Sequence, residues 1–332
     1  MTAGTLRILS AGAAHVTDLG RPTGPRFGVP SGGASDQRAA RVANILVGNP
    51  DGAPLIETLA FDVEAVADVD ALIAVTGANA LVEIDGVRRP QGAPISVPRG
   101  ARIAVLGISG GLRAYLAVRG SFDVPRLLGS CAPDNVLGFG GALAPGSALP
   151  LRERTPPLVN GHFGAELFRL PVPRARRRDL VEVTDGPDAA EFAGTAHRLV
   201  ESPYVVSPTS NHIGLRMTGS LPERRASGEV LSRGVPVGAV EVPPGDEILV
   251  LHRGRGVTAG YPVLAVATPA ALDVLAQARP GETLRFRRVS DSAAAAQIRA
   301  ERAALDLLRE RTHAALSALG AVPTTPFEGI PQ

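Results

Sequence analysis

The sequence predicts a mainly β chain with a few helices, and three observations lead to that fold class. Short segments rich in β-branched and aromatic residues recur along the chain, each bounded by glycine, proline, aspartate or asparagine. Helical patterns are few. The two halves also repeat similar landmarks in the same order, which favours a duplicated β unit. Many short strands at irregular spacing are typical of barrels and sandwiches.

The predicted strands run from near the N-terminus to about residue 289. They are Leu6–Ser10, Ala71–Thr76, Leu81–Ile84, Arg102–Leu106, Arg113–Val118, Leu180–Thr184, Tyr204–Ser207, Leu215–Thr218, Glu247–Leu251, Val263–Thr268 and Thr283–Val289. The stretch near 150–178 is rich in proline and arginine and has the composition of a connector. We therefore divide the chain into an N-terminal half (1–155), a C-terminal half (156–290) and a C-terminal helix with its tail (291–332).

Four segments carry helical signals, namely an N-cap residue, a proline in the first turn or a sustained helical period. They run from Asp36 through Val47, from Pro187 through Val200, from Pro269 to Pro280, and from Asp291 to Leu319. In the last segment four apolar residues lie near heptad spacing: Ile298, Leu305, Leu308 and Leu316. A one-sided helix must bury this stripe, either on its own fold or against a partner.

Composition excludes several classes of function. The formal charge is +2, and all 34 basic residues are arginine. Without lysine the chain can form no Schiff base, no Walker-A phosphate contact and no biotinyl-lysine. The run Arg174–Arg178 lies among prolines, which favours a solvated connector over a polyanion site, so we expect no nucleic-acid partner.

Cysteine and hydropathy set further bounds. The single cysteine, Cys131, excludes an internal disulfide framework, and the six histidines are scattered, so we expect no metal site. No apolar run approaches the roughly 20 residues that cross a bilayer, and the N-terminus lacks a signal-peptide pattern. We expect a cytoplasmic protein with no membrane partner.

The most specific signal is a set of ordered polar and glycine-rich blocks. The opening blocks are Val16–Arg21, Gly28–Asp36, Ala43–Asn49 and Ile56–Thr58. Later blocks are Val75–Ala78, Arg113–Gly120, Leu128–Ser130, Gly214–Arg216, Gly238–Pro243, Gly260–Pro262 and Ala276–Gln277. In sequence and order they resemble the landmarks of a carboxyltransferase-like family, that of the 5-oxoprolinase C subunits and allophanate hydrolase subunit 2. The resemblance spans about residues 6–290.

The resemblance implies a pair of cyclophilin-like β-barrels in a hetero-oligomer with a subunit-B (allophanate hydrolase subunit 1) type protein. It implies chemistry on a small lactam, amide or urea-like substrate, as in ATP-dependent 5-oxoproline hydrolysis. Because the chain has no lysine, it binds no cofactor covalently in this way. ATP would then act through the complex, and biotin only if another protein supplied it.

Four polar positions depart from the family pattern. Thr17 and Glu241 each stand where the family usually has glutamine, and His212 stands where it usually has arginine. The stretch Arg253–Ala259 has Gly254 but lacks the usual aspartate. Polar changes in loops indicate changed chemistry more directly than core changes do.

Four residues are candidates for catalysis. Asp36 starts a predicted helix, where an aspartate either caps the helix or contacts substrate. Glu57 and Glu241 are candidate bases, and for Glu241 the alternative is pairing with an arginine. His212, in a loop rich in serine, threonine and asparagine, can titrate near neutral pH, or it is a solvated or structural histidine.

Eight residues are candidates for substrate binding. Asp18 and Arg21 lie three apart in a glycine-bounded loop, near enough to pair, and Asn44 is either a structural hub or a site residue. Arg119 and Arg216 are placed to bind a carboxylate, phosphate or oxyanion, or to form bidentate salt bridges. The others are loop or strand-edge polar residues: Asn211, Thr258 and Tyr261.

Two functions remain open at this point. The first is a subunit of an ATP-dependent 5-oxoprolinase or related carboxyltransferase or amidohydrolase complex, whose isolated chain is inactive. The second is a repurposed family member, either with a different reaction in a small-molecule pathway or as a non-catalytic binding or regulatory protein. The polar departures motivate the second.

Overall fold

The computed structural model describes residues 3–162, 164–172, 179–225, 228, 230–321 and 324. Contacts between Cα atoms divide the chain into two compact units. Residues Met1–Arg21, Asp36–Arg174 and Ala303–Gln332 form the first unit, and Pro22–Ser35 with Ala175–Arg302 form the second. The arginine run 174–178, interpreted above as a connector, lies outside the described residues.

The first unit is a curled nine-stranded sheet. Its strands are β1 Thr5–Ala11, β2 Ala14–Thr17, β3 Leu55–Leu59, β4 Val63–Ala67, β5 Ala71–Ile84, β6 Val87–Arg89, β7 Ile95–Val97, β8 Arg102–Val118 and β9 Ala148–Pro150. The order is β2-β3-β8-β4-β1-β9, with β5 on β8 and with β6 and β7 on β5. Alternate side chains such as Leu6, Ile8 and Ile56 form its core.

The second unit is a closed barrel with a small ribbon beside it. Its strands are β10 Leu180–Asp185, β11 Pro203–Val206, β12 Gly214–Gly219, β13 Arg233–Gly234, β14 Ala239–Glu241, β15 Glu247–Leu251, β16 Thr258–Ala259, β17 Val263–Ala267 and β18 Thr283–Arg288. The barrel closes in the order β10-β17-β14-β15-β12-β11-β18, and β10 pairs with β18 in parallel. The ribbon consists of β13 paired with β16.

The helices are α1 Gln37–Leu46, α2 Arg198–Glu201, α3 Pro269–Gln277 and α4 Asp291–Ala318. Three of the four helical predictions are confirmed within a few residues. The helix predicted from Pro187 through Val200 is wrong, because a 3-10 turn at Ala189–Phe192 is followed only by α2. The carbonyl of Glu191, which a continuing helix needs, accepts a hydrogen bond from the Arg225 N–H instead.

The mainly β fold class is confirmed. All eleven predicted strands are present, although β5 and β8 each merge two of them. The predicted tail helix docks on the fold through Leu305, Leu308 and Leu316, whereas Ile298 of the predicted stripe is 43% exposed. No helix in the described part of the chain is long and apolar enough to span a membrane.

Candidate functional site

In the first unit, Asp18 is a buried hydrogen-bond acceptor that joins two loops. Its carboxylate accepts from the Gly20 N–H (2.8 Å), the Ser130 hydroxyl (2.5 Å) and the Cys131 N–H (2.9 Å). A guanidinium nitrogen of Arg126 lies 3.8 Å from it. These contacts hold the loop after β2 against the segment near residue 130, so Asp18 has a structural role in this unit.

Arg21 has no exposed surface and is likewise held by other partners. Its guanidinium donates to the carbonyls of Leu127 and Ala132, and its Nη1 lies 3.7 Å from an Asp134 carboxylate oxygen. The expected pairing of Asp18 with Arg21 is therefore wrong. Since groups from residues 126–134 bind both side chains, spacing along the loop alone indicates the wrong partners.

Asp36 caps α1, which confirms that interpretation of a helix-start aspartate. Its Oδ1 accepts from the Ala39 N–H at 2.8 Å, and its own N–H donates to the Tyr115 hydroxyl at 2.8 Å. Glu57 lies opposite Tyr115 on the neighbouring strand. Burial, then Glu57 and then Asp36 raise the pKa of Tyr115 well above its usual value. The structure thus brings Asp36 and Glu57 together around one buried phenol.

Glu57 is a paired carboxylate. Its Oε1 lies 3.3 Å from Arg113 Nε and 3.8 Å from His15 Nε2. The Arg113 contact gives Glu57 a structural partner, and its role as a base stays a prediction.

Asn44 is the hub of an amide network at the end of α1. Its Nδ2 donates to the carbonyls of Asp51 (3.2 Å) and Ala53 (2.9 Å), and its Oδ1 accepts from Asn49 Nδ2 (3.2 Å). Asn49 in turn donates to the Val118 carbonyl and accepts from the Gly120 N–H. The network ties α1 to the end of β8, which accounts for a fully buried amide in an apolar helix.

Arg119 lies beside this network and next to a cavity. Its Nη1 donates to the Val47 carbonyl at 2.7 Å, and burial lowers the pKa of its guanidinium while Glu153 opposes that shift. The cavity has a volume of about 200 Å³. Its lining comes from the end of α1, from Arg119 and from the C-terminal segment: Ile45, Gly48, Asn49, Pro50, Arg119, Arg309, His313, Leu316, Ser317, Ala321 and Thr324.

In the second unit, several of the predicted site residues lie on the surface. Asn211 and His212 are exposed, and the Asn211 side chain accepts from the Ile213 N–H at 2.8 Å, which closes a local turn. Thr258 is exposed on β16, and Tyr261 is 43% exposed just after it. Arg216, on β12, forms an ion pair with Glu247 of the next strand, as the salt-bridge alternative predicts.

Glu241 differs from every other candidate because it is buried and unpaired. Its exposed fraction is 0%, and neither carboxylate oxygen has a hydrogen-bond partner in the described structure. Burial alone raises its pKa from 4.5 to about 7. The prediction that Glu241 pairs with an arginine is wrong. Glu241 is instead a carboxyl whose charge changes near neutral pH, which is the property expected of a functional acid.

Arg255 is a buried residue that the sequence prediction missed. It is 6% exposed, its Nε donates to the Val235 carbonyl at 3.0 Å, and its Nη1 has no partner among the described residues. Burial lowers the pKa of its guanidinium. The sequence did contain a signal for its burial: Arg255 lies between two glycines in the stretch Arg253–Ala259, which departs from the family pattern. Glycines allow a loop to turn so that an arginine side chain points inward.

The loop that carries Arg255 also organises the opening motif within this unit. The Gly32 N–H donates to the Arg253 carbonyl at 3.0 Å, and Arg253 Nε donates to the Ser35 carbonyl at 3.4 Å. Gly254 packs against His212, where an added Cβ would lie 2.5 Å from the imidazole Cδ2. Landmarks far apart in sequence thus meet in one loop cluster.

Comparison with known families decides what kind of protein has these landmarks. Residues 27–288 match the family described as the carboxyltransferase domain, subdomain A and B. The chain belongs to this carboxyltransferase-domain family. The match covers the barrel and its loop cluster and most of the first unit, and it confirms the resemblance found from the sequence blocks.

Individual relatives agree with this assignment. The chain is 30% identical over 300 residues to the C subunit of 5-oxoprolinase from Escherichia coli (strain K12), across 86% of this chain and 91% of that protein. It is 30% identical to urea amidolyase of Saccharomyces cerevisiae, across 79% of this chain but 15% of that protein. The crystal structure of TTHA0988 superposes with a TM-score of 0.74 at 33% identity, across 86% of this chain and 55% of that chain.

Proposed function

We propose that this chain is a subunit of an ATP-dependent 5-oxoprolinase or a closely related carboxyltransferase or amide-hydrolysing complex. One observation carries the proposal: 30% identity to the C subunit of Escherichia coli 5-oxoprolinase extends over 91% of that protein. The family assignment over residues 27–288 supports it. The substrate class is a small lactam, amide or urea-like compound.

The proposed complex includes a subunit-B-type partner in the cytoplasm. The name of the Escherichia coli relative describes one subunit of a larger enzyme, which supports a complex in which different subunits carry different parts of the reaction. Because this chain contains no lysine, the P-loop contact to ATP and the attachment of biotin would both belong to other polypeptides. ATP and any carboxybiotin therefore reach the reaction through the complex.

Among the residues of this chain, Glu241 and Arg255 are the ones we assign to the chemistry. A carboxyl with a pKa of about 7 can hold or release a proton in a pH range where ordinary carboxylates are fully ionised. The buried Arg255 Nη1 can donate to a carboxylate or to an oxygen that develops negative charge. Asp18, Arg21, Asp36 and Asn44 already have partners within the first unit, so we assign them to its structure.

Reconstitution of 5-oxoproline hydrolysis tests the proposal. Glutamate is measured with ATP for this chain alone, for this chain with a subunit-B-type protein and the remaining subunit from the same organism, and for that mixture without this chain. We expect glutamate only in the complete mixture. Its formation by this chain alone at full rate, or by the mixture that lacks this chain, would contradict the proposal.

A repurposed family member is the second candidate, and Glu241 is the observation that favours it. A buried, unpaired acid at a position where glutamine is usual gives this chain a proton-dependent group of its own. Folded proteins that form no glutamate in any mixture would favour this candidate, with urea or another amide as the next substrate to test.

A further inference from the structure

Glu241 lies in an apolar cluster on the outer face of the barrel. It is the last residue of β14, and its strand partners are Leu249 on β15 and Val263 on β17. The register with β17 shifts between Val240 and Glu241, which marks a β-bulge. Side chains two apart or directly opposite share a face of the sheet, so Glu241 shares its face with Ala239, Leu249 and Val263.

The ribbon of β13 and β16 covers this face. Val235, just after β13, is buried with Ala239, Leu251 and Val263, and Ala259 of β16 packs against the same cluster. Only two residue pairs join the ribbon strands: Arg233 with Ala259, and Gly234 with Thr258. A two-stranded ribbon of this size contributes little stability of its own, and a ligand would reach Glu241 only when this cover opens.

No charged group among the described residues compensates Glu241. Titratable or charged residues on or next to the surrounding elements include Asp188 and Arg233, Arg216 and Glu247, Arg255 and Tyr261, and His252, whose Nε2 is 3.1 Å from the Leu272 carbonyl oxygen. The first four form two ion pairs with each other, Arg255 bonds to the Val235 carbonyl, and Tyr261 is partly exposed. The pKa of Glu241 accordingly rises through burial alone, with no contribution from any of these groups.

A neutral carboxyl at this position presents one donor and one acceptor side by side. Its O–H donates and its C=O accepts, and neither oxygen has a partner within the described residues. The amide of a small lactam ring is held cis, so its N–H and C=O lie on the same edge. Two hydrogen bonds can therefore form between one such edge and one carboxylic acid, and urea presents the same edge.

We propose that Glu241, in its protonated form beneath the ribbon, binds the cis-amide edge of a lactam or urea-like substrate through two hydrogen bonds. This inference rests on the proposed function for its substrate class, and it names the group and the protonation state that recognise the substrate. An ionised carboxylate can accept from the N–H but repels the carbonyl oxygen, so binding weakens as Glu241 loses its proton.

Ligand-observed NMR titration of the full chain, and of the reconstituted complex, tests this proposal. The probes are 2-pyrrolidinone, which has the cis N–H and C=O, and N-methyl-2-pyrrolidinone, which lacks the N–H. At pH 6 we expect the wild type to bind the first probe at least about tenfold more tightly than the second, since an unpaired polar edge is costly. At pH 8 binding of the first probe should weaken about tenfold, because the pKa of about 7 leaves roughly one carboxyl in eleven protonated.

Three variants separate recognition from structure. Glu241→Gln keeps a donor and an acceptor, so it should retain the preference for 2-pyrrolidinone and lose its dependence on pH. Glu241→Leu suits the apolar cluster but has neither group, so the preference should vanish. Glu64→Gln is the matched control, because Glu64 pairs with the exposed Arg102 in the first unit, and it should behave as the wild type.

Several outcomes would overturn the proposal. They are the absence of 2-pyrrolidinone binding at pH 6 in both the chain and the complex, equal binding of the two probes, and unchanged binding in Glu241→Leu. Each concerns lactam binding alone. Glutamate formation by the complete mixture tests the proposed function separately, so the two failures are distinguishable.

Discussion

The two units treat their buried carboxyl groups differently. In the first unit, Asp18, Arg21 and Asn44 are buried and bonded to loop carbonyls, amides and hydroxyls. In the second, neither oxygen of the buried Glu241 carboxyl has a partner among the described residues. The guanidinium groups of Arg21 and Arg255, by contrast, each combine bonded nitrogens with an Nη1 that has no hydrogen-bond partner among those residues. Burial of a polar group without a partner costs roughly 1–3 kcal/mol, so the fold of the second unit retains a carboxyl group that destabilises it.

This difference separates polar residues that hold the fold from polar residues available to a ligand. A group that already has all its partners gains little from a substrate, whereas an unpartnered buried group gains most of a hydrogen bond. Resemblance to family motifs does not make the distinction, because it marks both kinds of residue. The following predictions test whether the first unit depends on its polar groups while the second tolerates changes to them.

The largest expected effect is that of Arg21→Met. The substitution leaves the carbonyls of Leu127 and Ala132 and the carboxylate of Asp134 without their buried cation. We expect the free energy of unfolding to fall by about 3–5 kcal/mol, measured by urea denaturation followed by circular dichroism. Arg88→Met, at an exposed position on β6, is the control and should change it by less than about 0.5 kcal/mol. A loss under about 1 kcal/mol for Arg21→Met would show that these contacts are dispensable.

Glu241→Gln should have the next largest effect, with the opposite sign and a dependence on pH. The folded chain holds the Glu241 proton up to a pH of about 7, whereas the unfolded chain releases it near 4.5. The folded state therefore binds more protons in this window, and the free energy of unfolding falls by about 3 kcal/mol as pH rises through it. The variant lacks this loss, so it should be more stable than the wild type by about that amount at pH 8 and equal to it near pH 4.5.

Urea denaturation of both proteins at several pH values measures the difference. Parallel stability curves for wild type and Glu241→Gln across pH 4.5–8 would mean that Glu241 ionises normally in the folded chain. They would also remove the pH argument for lactam recognition.

Asp18→Asn makes the same chemical change in the first unit and should destabilise it. The Asp18 carboxylate accepts from Gly20, Ser130 and Cys131, and an amide nitrogen in place of one oxygen would face a donor instead of accepting from it. We expect a loss of about 2 kcal/mol at pH 7. The direct test is to measure the free energy of unfolding of Asp18→Asn and Glu241→Gln under identical conditions. If both substitutions stabilised the chain, or both destabilised it, the contrast between the units would be lost.

Much of the fold could be predicted from the sequence. Strands with a buried face and a turn residue at each end, such as β1 and β15, were located to within a residue or two. Very short strands such as β13 and β16 were missed, because two residues carry no periodicity. The failed helix before Val200 had another cause: the Arg225 N–H, 34 residues from Glu191, takes the carbonyl that the helix would have used.

Less of the candidate site could be predicted. The cap at Asp36 follows from local rules and was anticipated. Apart from the Gly20 N–H that bonds to Asp18, the partners of Asp18 and Arg21 come from residues more than 100 positions away, which spacing cannot reveal. Glu241 could be singled out by its residue type but not by its environment, since the absence of a partner depends on every strand and loop around it. Arg255 shows the same limit, because its burial requires the Val235 loop to fold over it.

The smallest expected effect is that of Arg216→Met, which tests whether a surface ion pair in the second unit also has a function. The Arg216 side chain is 44% exposed and is already bound to Glu247. A pair of this kind contributes about 0–1 kcal/mol, so urea denaturation should show a change below about 1 kcal/mol. Glutamate formation by the reconstituted mixture should also stay within about twofold, because the guanidinium is engaged and gains little from a substrate oxyanion. Glu247→Gln is the matched control from the other side of the pair. A tenfold loss of glutamate formation in Arg216→Met, at unchanged stability and without a similar loss in Glu247→Gln, would contradict this expectation. Arg216 would then join Glu241 and Arg255 as a site residue. An ion-paired residue on the barrel surface would be available to a ligand despite its partner.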